Sequence, residues 1–152
     1  MKKFQYSMQS ILNIKEKLEE QERANYAQAQ ARLNAECEKL EELKRRKEGY
    51  EDRLRNNVGK RLDVLELKYG QDAIETMKLL IRQQNVQVTK AEQNVEAAMY
   101  RLKQAMQERK MHEKLREKAF AEYLIVMGAE ERKEIDELVS YRRGAKTAAA
   151  EE

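Results

Sequence analysis

The sequence contains no proline and no tryptophan, and its 152 residues include only two phenylalanines, seven tyrosines and one cysteine. Because proline is absent, no position carries an obligatory helix breaker. The few aromatic rings supply little of the buried area that usually anchors a globular core. Cys37 has no second cysteine to pair with, which is typical of a protein from a reducing compartment. No run of about 18 apolar residues is present, so no membrane-spanning segment is predicted.

The motifs of common enzyme classes are absent as well. Gly59 and Lys60 lack the upstream glycine that a phosphate-binding loop requires. The single histidine, His112, has Glu108 and Glu113 nearby, but a zinc site needs three or four ligands. The many carboxylates are expected on exposed helix faces, where they stay solvated and unsuited to acid–base catalysis. The sequence therefore predicts a protein that is not an enzyme and that binds no metal or cofactor.

Charged residues make up 39% of the sequence, and the 31 basic side chains are interleaved with 28 acidic ones. Glutamates placed four residues before arginines, such as Glu19 before Arg23, add about 0.2–0.5 kcal/mol each to an exposed helix. A nucleic-acid site would need cations clustered on one face. The densest basic run, residues 44–47, is short and flanked by glutamates. This pattern indicates a solvated surface whose charges compensate each other.

Residues 74–112 carry a seven-residue repeat whose first and fourth places are mostly apolar. The first places are Ile74, Ile81, Val88, Val95, Leu102 and Arg109, and the fourth places are Met77, Gln84, Ala91, Ala98, Ala105 and His112. Only an α-helix puts residues with this spacing on one face, and a strict repeat of 3.5 keeps the face turned toward a partner helix. We call this face the seam. Disorder, which high charge also favours, is rejected for residues 4–127 because disordered segments do not hold a heptad register.

The predicted fold is all-α, a long antiparallel two-helix coiled-coil hairpin with a short helical cap between the helices. The predicted boundaries are helix 4–56, connector 57–71, helix 72–141 and a frayed tail 142–152, all within a single domain of residues 1–152. Two long helices joined by one short connection must lie antiparallel. Asn and Gly at both ends of the connector predict helix stops, and Asp72 followed by Glu75 resembles a capping box that starts the second helix.

The apolar stripe of the first helix is predicted to shift part-way along. Its members are Phe4, Met8, Ile11, Leu18, Tyr26, Ala29, Leu33, Leu40, Leu43, Tyr50 and Leu54. The step from Leu18 to Tyr26 is eight residues rather than seven, so the local winding is expected to change there.

Both ends of the chain are more particular than a generic coiled coil requires. The N-terminus reads FQYSMQSILNIKE from Phe4, and the C-terminal part contains EKLREKAF from Glu113 and KEIDELV from Lys133. These stretches resemble the flagellar FliJ family, the small coiled-coil component of the flagellar type III export ATPase complex. The resemblance covers nearly the whole chain, and it implies a non-enzymatic stalk in the pore of the hexameric export ATPase that reaches toward the membrane-embedded export gate.

The resemblance also implies partners and contact residues. Family members are described as escorting export chaperones, and they serve flagellum biogenesis, motility and chemotaxis. The stretch from Thr76 to Gln84, preceded by Ala73, looks like the gate-contacting stretch of the family. The implied gate contacts are Ala73, Met77, Leu80 and Gln84, although the family pattern has an aromatic residue first and a histidine last.

The ends of the chain supply the predicted ATPase-ring contacts, because an apolar helix face without a partner is a binding surface by default. These residues are Phe4, Met8, Ile135 and Leu138. The location expected from the sequence is cytoplasmic, at the cytoplasmic face of the plasma membrane through partners only. Alternative interpretations are the equivalent stalk of a virulence-type secretion system, which the Phe4-x-Tyr6 start disfavours, and a coiled-coil subunit of a rotary ATPase.

Overall fold

The computed structural model of the chain describes residues 2–57 and 63–151. These residues form two long helices, α1 (Gln9–Asn57) and α2 (Val64–Ala150). Neither of the two described ranges contains a strand or a non-glycine residue with positive φ. The predicted all-α class is therefore confirmed.

The start of α1 differs from the prediction. The helix begins at Gln9 and not at residue 4, and residues 2–6 form an arm without regular structure. The backbone amide of Gln9 donates to the carbonyl oxygen of Tyr6 at 3.1 Å, and the amide of Leu12 donates to that of Met8 at 3.1 Å, which closes the first turn. The arm makes its contacts with α2 instead, because its one phenylalanine packs on aromatic rings there.

The start of α2 also differs, since the helix begins at Val64 rather than at residue 72. Asp63 is its N-cap: the amide of Leu65 donates to the Asp63 carboxylate at 3.2 Å, and the amide of Leu67 donates to the Asp63 carbonyl at 3.2 Å. Such a cap stabilises a helix by about 1 kcal/mol. Residues 58–62 of the predicted connector and cap lie outside the described residues. Residues 64–71 are not a separate cap but the first turns of α2, with Gly70 inside the helix.

The C-terminal tail, predicted to fray from residue 142, continues α2 as far as Ala150. Alanine and lysine are good helix formers and no proline interrupts them. The hydroxyl of Thr147 donates to the carbonyl oxygen of Arg143 at 2.6 Å, one turn back. Regular helix therefore reaches the last described residues even though all side chains from Ala129 onward are exposed.

The described chain forms two compact units, and the larger, which we call the central unit, is Leu18–Ala105. Every predicted seam position of α2 in this unit is buried or half-buried, and Ala91, Ala98 and Leu102 are the most enclosed. The α1 side chains that are buried or half-buried in the same periodic pattern recur at alternating steps of three and four: Glu19, Glu22, Tyr26, Ala29, Leu33, Glu36, Leu40, Leu43, Lys47, Tyr50 and Leu54. This is the burial pattern that a seven-residue repeat requires of both helices.

The predicted shift of the α1 stripe near Leu18 is wrong. Leu18 is 41% exposed, whereas Glu19 beside it is 6% exposed. The buried face of α1 keeps one strict seven-residue repeat, and glutamates occupy positions of the repeat that carry no apolar residue. Glu19 accepts a hydrogen bond from Arg23 at 2.9 Å, and Glu22 lies 3.4 Å from Arg101 of α2. A carboxylate can occupy such a position because a neighbouring cation offsets part of its desolvation.

Two further contacts connect α1 and α2 within the central unit. The Gln84 amide donates to the backbone carbonyl of Glu36 at 2.9 Å and to the Glu36 carboxylate at 2.5 Å. Gly70 lies so close to Leu54 that a Cβ at this glycine would be 2.6 Å from Leu54 Cδ1. The absence of a side chain at Gly70 thus permits the close approach of Leu54.

The second unit, which we call the terminal unit, combines Met1–Lys17 with Met106–Glu152. Leu12 is its best-buried side chain, at 1% exposure. The predicted seam residues Arg109 and His112 are half-buried in this unit. Lys15 of α1 donates a hydrogen bond to the Glu108 carboxylate of α2 at 2.8 Å. The packing of this unit is therefore polar on one side of Leu12 and aromatic on the other.

Candidate functional site

An aromatic cluster of the terminal unit holds the N-terminal arm on α2. The ring of Phe4 meets that of Phe120 edge-on at 5.0 Å and that of Tyr123 at 5.4 Å. The Tyr123 hydroxyl donates to the backbone carbonyl of Lys2. Aromatic pairs of this kind contribute about 0.5–1.5 kcal/mol beyond their burial. Phe4, which the sequence predicted to contact the ATPase ring, is therefore a half-buried anchor within the protein itself. This role was not evident from the sequence because Phe120 and Tyr123 are distant along the chain.

A groove of about 360 Å³ lies beside this cluster. Apolar side chains and a rim of charged ones line it: Phe4, Leu12, Phe120, Glu16, Glu113, Arg116 and Glu117. The groove opens between the arm, the first turns of α1 and the middle of α2. An apolar floor with a mixed-charge rim is the kind of surface that receives protein side chains.

The C-terminal part of α2 exposes a series of large apolar side chains. Ile135 is 58% exposed and Leu138 is 62% exposed. Val139 and Tyr141 are exposed beside them. Tyr123, the last residue of the aromatic cluster, lies about 18 Å before Ile135, because a helix rises about 1.5 Å per residue. The structure thus separates Ile135 and Leu138 from Phe4, and Met8, at 39% exposure, lies on the first turn before α1.

The predicted gate contacts lie in the central unit, on the side of α2 that meets α1. Ala73, Met77 and Leu80 are half-buried. Gln84 is the most constrained of the set because its amide donates to Glu36 twice. The structure places all four on neighbouring turns, and Leu80 and Gln84 line a common groove.

This second groove has a volume of about 450 Å³ and is lined by Leu43, Leu80, Gln83, Gln84, Val86 and Gln87. Val86 is 52% exposed at its edge. Leu80 is half-buried and accessible from the groove, in agreement with the prediction that it stays partly exposed.

The clearest electrostatic perturbation lies in the terminal unit. The hydrogen bond and the positive charge of Lys15 lower the pKa of Glu108 below its ordinary value of 4.5, and the nearby His112 lowers it further. Partial desolvation opposes this shift. His112 itself is half-buried on the seam, as predicted, and it is not part of any metal cluster: no group of three or more candidate ligands occurs in residues 2–57 and 63–151. In the same two ranges, no helix is long and apolar enough to cross a membrane.

A family model described as the flagellar FliJ protein matches residues 4–147. This chain belongs to the flagellar FliJ family. Membership relates it to flagellar protein export and motility, in a family that is structural rather than catalytic. Searches of the curated proteins and of the solved structures found no match. The match includes Phe4 of the arm, all of α1, and α2 as far as Thr147, so the candidate surfaces all lie within the family region.

Proposed function

We propose that this FliJ family member is the coiled-coil stalk of a flagellar export ATPase and connects the hexameric ATPase to the export gate. The family match over residues 4–147 is the observation that carries this proposal. A match to the flagellar family favours this assignment over the stalk of a virulence-type secretion system or a rotary ATPase subunit. Export chaperones are further partners, and attachment to the cytoplasmic face of the plasma membrane is through partners.

A stalk of this type requires two antiparallel helices, and contacts within each unit support that arrangement. In the central unit, Glu22 near the start of α1 contacts Arg101 of α2, and Leu54 near the end of α1 contacts Gly70, which is earlier in α2. In the terminal unit, Lys15 contacts Glu108 of α2, whereas Phe4, earlier in the sequence, contacts Phe120, later in α2. Opposite chain directions of this kind are the signature of antiparallel pairing.

The part of α2 from Ala129 onward, which we call the C-terminal segment, is the best candidate for the ATPase-ring contact. Ile135 and Leu138 lie one turn apart on a continuous helix, so they share a face, and both are more than half exposed. Apolar side chains presented in this way are the usual anchors of a helix that docks in a groove. Met8 is a second, weaker candidate, whereas Phe4 acts indirectly by holding the arm on α2.

The test is the double variant Ile135→Ala with Leu138→Ala. If these side chains are interface anchors, each costs about 2 kcal/mol or more on truncation, so the double variant loses about 4 kcal/mol and binding to the cognate hexameric ATPase weakens nearly a thousandfold. Titration calorimetry measures the binding, and an ATPase assay measures ATP turnover in parallel.

The matched control for the ring contact is Leu65→Ala with Val86→Ala, which truncates two apolar side chains of similar exposure in the central unit. Circular dichroism checks that both proteins remain helical. Equal binding by the two double variants would exclude the C-terminal segment as the ring contact.

For the export gate we retain Ala73, Met77, Leu80 and Gln84 and give Leu80 the leading role. Leu80 is accessible from a groove, whereas the Gln84 amide is already engaged by Glu36. Leu80→Ala is expected to weaken binding to the cytoplasmic domain of the gate by about tenfold or more and to reduce swimming. Leu79→Ala removes the same atoms from an exposed neighbouring site. Gate binding that responds equally to both changes would place the contact elsewhere.

A further inference from the structure

The C-terminal segment does not continue the seam that packs against α1. Counting the seam repeat beyond His112 reaches Glu130, Lys133, Glu137 and Ser140, all polar and exposed. The apolar side chains there follow a different register. The residues that share this second helix face, both apolar and charged, are called here the C-terminal stripe: Gly128, Glu131, Ile135, Leu138, Arg142 and Ala145. All of them are exposed except Gly128, which is half-buried, so this stripe has a face of its own with no partner in the described chain.

The C-terminal stripe is complementary to itself when it is reversed. Its steps alternate between three and four residues and read the same in both directions. Reversal places Ile135 opposite Leu138, Glu131 opposite Arg142, and Gly128 opposite Ala145. The layers are thus apolar with apolar, acidic with basic, and small with small, and the next layer outward sets Leu124 opposite Ala149. Self-complementarity of this kind is what a two-fold symmetric interface requires.

We propose that residues 124–149 of two copies of this chain pair as an antiparallel two-helix coiled coil centred between Asp136 and Glu137. Charge selects both the direction and the register. In a parallel pair, Glu131 would face Glu131 of the second copy and Arg142 would face Arg142, which places like charges in contact. In the antiparallel pair the same residues make two ion pairs, and neither forms one within the described part of its own chain.

Residues beside the stripe fit this pairing. Tyr141 and Val139 are exposed and flank the central layers, so they extend the apolar contact. On the opposite face lie Lys133, Glu137 and Ser140, which remain in water. One apolar face with one polar face is the pattern of a two-stranded coiled coil. The dimer would cover Ile135 and Leu138, so it would compete with the ATPase ring. This consequence alone rests on the proposed function.

The experiment measures self-association of the full chain by sedimentation equilibrium between about 1 µM and 1 mM, the range that resolves dissociation constants of the same size. A monomer–dimer equilibrium is expected. Glu131→Arg and Arg142→Glu should each raise the dissociation constant by at least about tenfold, because each places like charges in both polar layers. The double variant Glu131→Arg with Arg142→Glu should restore association to within about threefold, since the ion pairs reform with reversed polarity.

Mixing the two single variants is the sharpest arm of the test. Each alone should be largely monomeric, and together they should form a heterodimer whose two polar layers are both opposite in charge. Glu130→Arg and Arg143→Glu are matched controls that make the same charge changes one residue away, outside the stripe, and they should leave association unchanged. A monomer across the whole range overturns the proposal, and so does association that the stripe variants and their controls affect equally. No ATPase is needed, so failure here leaves the proposed function untouched.

Discussion

Leu12 and Ile11 are neighbours in the first turn of α1, and the structure assigns them opposite environments. Leu12 is 1% exposed and Ile11 is 37% exposed. Truncating Leu12 to alanine removes about three buried carbons at about 0.8 kcal/mol each, and the cavity left behind raises the loss of unfolding free energy to about 3 kcal/mol. Ile11→Ala removes equally many carbons from a site that keeps part of its hydration, and alanine has the better helix propensity. Its expected loss is about 1 kcal/mol.

The difference of about 2 kcal/mol corresponds to a midpoint temperature about 4–8 °C lower for Leu12→Ala than for Ile11→Ala in a chain of this length. Urea unfolding followed by circular dichroism measures the same difference as a shift in midpoint at constant slope. Leu18→Ala, at a site 41% exposed, should resemble Ile11→Ala. If Ile11→Ala or Leu18→Ala destabilised the protein as much as Leu12→Ala, the strict repeat of α1 would be refuted and the eight-residue shift predicted from the sequence would be correct.

Two further predictions concern glycine and charge. Gly49→Ala should raise the unfolding free energy by about 0.5–1 kcal/mol, because alanine favours the helix and nothing lies within 4 Å of the added Cβ. Gly70→Ala should raise it less, because the added Cβ would lie 2.6 Å from Leu54 Cδ1. Equal gains of the two variants in urea unfolding would contradict this packing. Lys15→Met should raise the pKa of Glu108 toward 4.5 in an NMR titration, because Lys15 is the main cause of the lowered value. Since the pKa of Glu108 is lower in the folded state, the stabilisation from its ion pair with Lys15 is complete above the ordinary pKa and is lost as the pH falls through the lowered pKa. A Glu108 titration that Lys15→Met leaves unchanged would show that the ion pair does not form in solution.

The aromatic arm illustrates what sequence periodicity leaves undecided. Phe4 falls on a plausible helical spacing with Met8 and Ile11, which predicted a longer α1. Helical spacing states which residues share a face if the helix forms, but it does not weigh the helix against a competing contact. The rings of Phe120 and Tyr123, more than a hundred positions away, provide that contact. The start of α2 is different, because the Asp63 cap is a local signal that could have been found in the sequence.

The sequence by itself determined the all-α class, the seam of α2 and the family. These follow from local quantities: a seven-residue repeat defines one helix face whatever lies opposite, and every predicted seam position of α2 is buried or half-buried. The family resemblance was confirmed by the match over residues 4–147. Polar residues also keep the repeat, since Gln84 and His112 occupy seam positions without being apolar.

Only the tertiary structure decided which face of the first turns of α1 is buried. Ile11 and Leu18 form one apolar set at a seven-residue spacing, while Leu12, Glu19 and Tyr26 form another at the same spacing that carries a glutamate. Hydrophobicity favours the first set, but the structure buries Leu12 and Glu19 of the second set and half-buries Tyr26. A buried carboxylate is tolerated when a cation reaches it, as Arg23 of the same helix reaches Glu19. Which face of α1 meets α2 depends on positions in space that a one-helix pattern does not specify, such as that of Arg101 of α2 beside Glu22.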